Sequence, residues 1–331
     1  MKVTIVAGRN PFAAKASGTS TYVEGLVTAL NEERLHVTLI SCEIDKKTAD
    51  RYNLNHISLK MKKVTSIRFL LKLLVKTPRL KIPEYSIIHT HRPDFMFPFI
   101  LFCRKNPKVC TLHGIPDIGI KTRKNFLTWG IYSLLERSIL GRINRLIAVN
   151  QSTKDYYAQK YPRIKDKIAV IPVGVDLDLF RPLDREKMRK RYGFNQEDKI
   201  ILYVGRFSVE KGLDLLLSAF KELKSEVGGV RLILLGEGMM EEKLRKIVKS
   251  QNIEDVTFMK PHDHKKIPEI LNCADLLALC SSYEGMPTIV LEALACGVPV
   301  VSTDVGDVKN MVLEDKTGQL VPSRDSKSIK N

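Results

Sequence analysis

The sequence predicts an α/β protein of two doubly wound domains, each a parallel sheet covered on both faces by helices. Short, β-rich apolar runs alternate with segments of helical period, and this alternation breaks at a turn-rich stretch and then restarts. The length of 331 residues also exceeds what one hydrophobic core ordinarily serves.

In the first half the strands are KVTIVA (2–7), HVTLIS (36–41), SIIHTH (86–91), KVCTLH (108–113), RLIAVN (145–150) and KIAVIP (167–172), with helical segments such as 19–31 and 124–140 between them. A domain over 1–171 follows. VGVDLDLFRPLD (173–184) is rich in turn-formers and precedes a charged helix, REKMRKRYG, so 172–184 reads as a linker. The second domain, 185–331, has strands ILYVG (201–205), VRLILLG (230–236), DVTFM (255–259), DLLALC (275–280) and VPVVS (298–302), and helices from about 211, 239, 264 and 287.

Apolar content of 44% and charged content of 27% are those of a globular protein, and no run of 18 uncharged apolar residues offers a membrane span. MKVTIVAGRN enters a strand directly, with no signal-peptide core, so the expected location is the cytoplasm. The six cysteines form no CxxC pair and read as reduced, structural thiols. A net charge of +17 points to an anionic partner: nucleic acid, a phospholipid surface or a phosphorylated substrate. The basic stretches carry no RNA- or DNA-reading motif, so nucleic acid is not expected.

SSYEGMPTIVLEALACGVPVV (281–301) looks built for a core yet contains Glu284 and Glu292. Pro287 suits a helix's first turn and Gly297 its stop, which predicts a helix over 287–296 that is apolar all round except at Glu292. A carboxylate there must be paired, protonated or turned to a polar ligand. Glu284 belongs to the loop after DLLALC, at the strand end where open α/β sheets bind ligands, and the amides of Thr288, Ile289 and Val290 can hold an anion. The plain alternative is a solvated Glu284 and a Glu292 with an ordinary salt-bridge partner.

Arg206 and Lys211, in VGRFSVEKG, occupy another strand-to-helix loop, where two cations could neutralise a pyrophosphate; singly, each reads as a surface charge. GEG (236–238) is a weak phosphate signal. DLD (176–178) and HDH (262–264) superficially resemble metal motifs, but the first lies in the linker turn and the second begins a helix, so no metal is expected.

Taken together, YEGMPTIVLEALACGVPVVSTDVG, VGRFSVEKGLDLLLSAF, IPVGVD and CADLLALCSSYEG resemble, in order and spacing, the retaining GT-B glycosyltransferases of family 4, marked by E-x7-E. The resemblance spans nearly the whole chain and is strongest over 200–322. It implies two Rossmann-like domains facing a cleft, the N-terminal one for the acceptor and the C-terminal one for a nucleotide-diphosphate sugar. On the resemblance, Glu292 binds the ribose hydroxyls and Glu284 contacts the transferred sugar. Arg206 and Lys211 hold the diphosphate with the amides near Thr288 and Ile289, and Gly285, Met286 and Pro287 complete the donor loop. Gly18, in SGTSTYVEGLVTAL, allows close approach of backbone to the donor, although Ser17 stands where the family often has a second glycine. His113, in TLHG, resembles the active-site histidine; taken alone it would read as a hydrogen-bonded structural residue. Val173 stands in place of a frequent Asn and Asp307 in place of the second Gly of VGG. The catalytic set is thus His113, Glu284, Arg206 and Lys211. It would serve a metal-independent hexosyl transfer without a dedicated nucleophile or a cofactor, the donor nucleotide sugar being a substrate.

The family's further C-terminal helices, one of which crosses back to the first domain, are not seen before SIKN, so a truncated C-terminal domain is expected. Residues 51–83 hold nine Lys or Arg and no acid, and Arg68, Lys72 and Lys76 share one stripe of SIRFLLKLLVK. Such a helix either lies on an anionic membrane or packs on the sheet with its charges outward. KTRKNFLTWGIYSLLERSILGR is a second basic and aromatic stretch. The reading is a cytoplasmic glycosyltransferase, peripheral on the inner membrane face, whose acceptor is lipid-linked or a cell-surface glycan precursor. The alternative is a noncatalytic nucleotide-sugar or polyanion-binding protein.

Overall fold

The structure, a computed structural model, describes residues 1–12, 18–61, 65–115, 126–261, 263–322 and 324–331, with backbone only for 126–132. Contacts divide the chain into two compact units, Met1–Val173 and Gly174–Asn331.

The first unit is built on seven parallel strands: β1 (Lys2–Val6), β2 (His36–Ser41), β3 (Leu54–Ser58), β4 (Ile87–Thr90), β5 (Lys108–Leu112), β6 (Arg145–Ala148) and β7 (Ile168–Val170). Their order is β3-β2-β1-β4-β5-β6-β7. The order reverses between β1 and β4, and the ends of these two strands flank the place where such sheets bind ligands. The strands alternate between two cores: Val3, Ile5, Val37 and Leu39 enter one, Val6, Ile40 and Ile88 the other. This is the period-2 signature of a sheet covered on both sides.

The helices described here are α1 (Gly18–Glu32), α2 (Lys46–Arg51), α3 (Ser66–Lys76), α4 (Phe97–Phe102), α5 (Phe126–Gly141) and α6 (Gln151–Lys160). Thr65 caps α3 by accepting from the Arg68 amide. Phe69 and Leu73 anchor this helix in the core, whereas Ile67, Leu71 and Val75 are 61%, 57% and 65% exposed. Of the second basic stretch, 121–125 and the Trp129 side chain lie outside the described residues. Farther along α5, Glu136 is buried and accepts from Tyr161 and Tyr157 with Lys160 beside it, a closed structural network.

The second unit has six parallel strands: β8 (Lys199–Val204), β9 (Val230–Leu235), β10 (Val256–Met259), β11 (Leu276–Leu279), β12 (Val300–Thr303) and β13 (Gly318–Val321). Their order, β10-β9-β8-β11-β12-β13, places the switch point between β8 and β11. Its helices are α7 (Arg185–Tyr192), α8 (Leu213–Glu226), α9 (Glu241–Ser250), α10 (Ile267–Leu271), α11 (Thr288–Ala295) and α12 (Ser326–Lys330). The turn-rich stretch before α7 is tied to this unit, since Asn272 accepts from the Leu183 amide and donates to the Arg181 carbonyl.

The two-domain α/β expectation is borne out. Strands β3 and β13 are additional to those read from the sequence: both are edge strands with mostly half-covered residues, so neither carries the apolar run of a central strand. Among the described residues, no helix is long and apolar enough to cross a membrane.

Candidate functional site

The second unit brings two of the expected residues into contact. Lys211 ends a one-turn 3-10 segment, Val209–Lys211, in the loop after β8, and Gly212 then takes φ 62° before α8 begins. Glu284 lies in the loop after β11. The Lys211 ammonium is ion-paired with Glu284 Oε1, and the Ser281 hydroxyl donates to the same oxygen at 2.7 Å. The pair thus joins the two loops that flank the switch point. Arg206 is exposed, and its carbonyl accepts from the Tyr203 hydroxyl at 3.0 Å.

Pro287 is the N-cap of α11 and makes no side-chain capping bond, while Gly297 takes φ 75° beyond the other end. The amide of Val290 bonds the Pro287 carbonyl, so of the three amides expected to hold an anion it is already engaged within the chain. Glu292 is 5% exposed, and its Oε1 accepts from His264 Nε2 at 2.9 Å. The buried carboxylate therefore has a partner, as the plain reading required. His264 also packs on the Phe180 ring.

Glycines set the loop geometry. Gly306 has φ 61°, and a Cβ there would lie 2.3 Å from the Glu284 carbonyl oxygen, so only glycine allows this approach. Asp307, in place of the family's second glycine, has φ −103°, which any residue adopts; its amide bonds the Gly285 carbonyl. The GEG segment has a packing role here, with Gly236 against the Gly205 backbone and Gly238 against Phe207.

The metal-like motifs serve local structure. Asp176 Oδ1 accepts from the amides of Asp178 and Leu179, and Asp263 caps His264–Lys266; His262 lies outside the described residues. Among the described residues, no three His, Cys, Asp or Glu are gathered as a metal site would need.

The first unit holds His113 and Gly18. Gly18 is the first residue of α1, and Ser17 lies outside the described residues. One turn on, Tyr22 meets the His113 ring edge-on at 4.8 Å and the His91 ring at 5.5 Å. His89 and His91 share one face of β4 and its extension. Their partners stand on adjacent β5 and just beyond its end: His89 Nε2 lies 2.8 Å from Thr111 Oγ1, and His91 Nδ1 lies 3.1 Å from His113 Nε2. Burial lowers all three histidines, His89 and His113 to about 4 and His91 well below the ordinary 6.5. The sequence reading missed Ser281, His264, Tyr22 and His91. Only His91 left a signal, because HTH at a strand end puts two imidazoles on one face.

Two doubly wound units with polar loops at the carboxyl ends of their strands define an α/β class built to bind ligands at those ends. A family model described as Glycosyl transferases group 1 matches residues 184–331, and one described as Glycosyltransferase Family 4 matches 16–179. With nearly all of the sequence taken in by these two, the chain belongs to the group 1 and family 4 glycosyltransferases, and its fold is GT-B.

It is similar to a D-inositol 3-phosphate glycosyltransferase of Segniliparus rotundus, 32% identical over 193 residues that cover 57% of this chain and 43% of that protein. The chain thus spans under half the length of the curated relatives it matches. In fold it is similar to sucrose-phosphate synthase of Thermosynechococcus elongatus, with a TM-score of 0.82, 23% identity, and coverage of 100% of this chain and 88% of that one. It is also similar to Anabaena Alr3699/HepE in complex with UDP-glucose, with a TM-score of 0.78, 18% identity and the same coverage.

Proposed function

We propose that this protein transfers a hexosyl group, with retention, from a nucleotide-diphosphate sugar to an acceptor bound by the N-terminal unit. The observation that carries the reading is the Lys211–Glu284 pair, which puts a cation and a carboxylate together at the switch point of the second sheet. In the free protein each neutralises the other. On donor binding, Lys211 and Arg206 move to the diphosphate, joined by the amides of Thr288 and Ile289. Glu284 turns to the sugar hydroxyls, with Gly285, Met286 and Pro287 shaping the loop, and Glu292, oriented by His264, takes the ribose. Gly18 and His113 are read as further contacts of the donor sugar. The leaving nucleotide diphosphate gains negative charge in the transition state, so cations and helix amides already in place favour its departure without calling on a metal.

The acceptor we propose is lipid-linked, reached from the inner face of a membrane. Supporting this, α3 turns Ile67, Leu71 and Val75 to solvent at i, i+4, i+8 beside exposed Arg68 and Lys76. Lys72 is half-buried and bonds the Lys60 carbonyl, so it contributes less.

The test is calorimetric binding of UDP, GDP and ADP sugars. Selective binding of one nucleotide, weakened in Lys211→Ala and Glu292→Ala, supports the site and names the base. No binding to the folded chain overturns it.

A further inference from the structure

His91 is buried at the carboxyl end of β4, 5% exposed, and its Nδ1 faces His113 Nε2 at 3.1 Å. Its other nitrogen, Nε2, is buried and has no hydrogen-bond partner among the described residues. His113 is only half-buried and its Nδ1 is not among the buried polar atoms left without a partner, so a proton on that nitrogen can meet solvent or a ligand, whereas one on His91 Nε2 cannot. Burial keeps both rings neutral near pH 7, so each carries a single proton, and their mutual bond uses one of these.

That bond can run in two directions. If His113 Nε2–H donates, His91 Nδ1 is the acceptor, and the His91 proton must sit on Nε2 as a buried donor with nothing to receive it. If His91 Nδ1–H donates, His91 Nε2 is left as a bare lone pair and the His113 proton sits on Nδ1. Buried donors without partners are rarer than buried acceptors with unused lone pairs. The second arrangement is therefore the stable one.

We propose that His91 is a positioning residue that holds His113 in its Nδ1-protonated tautomer, so that His113 meets its ligand as an N–H donor to oxygen. The ligand half rests on the reading of His113 as a contact of the donor sugar. It gives His113 a defined role, a hydrogen bond to a hydroxyl or phosphate oxygen of the nucleotide sugar, and it leaves Nδ1 unable to act as a base. Tyr22, edge-on to both rings, and the His89–Thr111 bond below them hold the pair in register.

The test is long-range proton–nitrogen NMR on the full chain labelled at its seven histidines near neutral pH, with assignment by single substitutions. His113 is expected to show a protonated Nδ1 and an unprotonated Nε2; the reverse overturns the proposal. In folded His91→Phe, His113 should shift toward the Nε2-protonated form, and His91→Asn, whose amide N–H replaces the ring donor, should restore Nδ1. An unchanged His113 tautomer in His91→Phe also overturns it. With the donor found by the binding screen, His91→Phe should lower kcat about tenfold or more at similar KM, with partial recovery in His91→Asn. Unchanged turnover in His113→Ala overturns the ligand half and the placement of His113 at the donor, while the spectra decide the tautomer separately.

Discussion

Lys211 and Glu284, 73 residues apart in sequence, are ion-paired across the switch point of the second sheet, with Ser281 donating to the same carboxylate oxygen. Both side chains are largely covered, so the pair is better shielded than a surface ion pair.

Lys211→Ala is expected to weaken nucleotide-sugar binding by about 1.5 to 3 kcal/mol, as for a lost charged hydrogen bond, and Glu292→Ala by a similar amount. Calorimetry reads both. Full affinity in the two variants would remove these residues from the donor site.

His264→Leu strips a buried carboxylate of its partner. We expect a loss of about 1 to 3 kcal/mol of stability near neutral pH, read by denaturant unfolding. Glu292→Gln, which can still bond His264, should cost less.

Gly306→Ala places a Cβ against the Glu284 carbonyl at a backbone angle that disfavours side chains. A loss of more than about 1 kcal/mol and a lowered melting temperature are expected, with weaker donor binding because the Glu284 loop must shift. Asp307→Ala, at negative φ, should cost less than Gly306→Ala.

His89, His91 and His113 are held neutral by burial, with folded values of about 4 for His89 and His113 and well below 6.5 for His91. As pH falls through about 6.5 the unfolded chain takes up protons that the folded one refuses, so the stability present above that value is lost towards pH 4. The slope is at most about 1.4 kcal/mol per pH unit for each histidine. Melting temperature should drop between pH 7 and 5, less steeply in His89→Gln.

Binding to vesicles containing anionic lipid should weaken in Arg68→Gln and Lys76→Gln by about 1 kcal/mol each, and in Leu71→Gln through lost apolar contact. Equal binding of wild type to neutral and anionic vesicles would rule out the charge contribution.

The sequence by itself determined the two α/β units, because central strands buried on both faces require continuous apolar runs and crossover helices require helical period. It also marked Glu292, since a lone carboxylate in an apolar helix has few physical explanations. The partners of these residues were decided only by the tertiary structure. Lys211 meets Glu284 because β8 and β11 are neighbours, His91 meets His113 because β4 and β5 are, and His264 reaches Glu292 across 28 residues. Strand order is set by how whole layers bury their faces, and local periodicity carries no record of it. The edge strands β3 and β13 were illegible for a related reason: half-covered strands tolerate polar residues, so their place in the sheet comes from backbone pairing rather than from side-chain pattern.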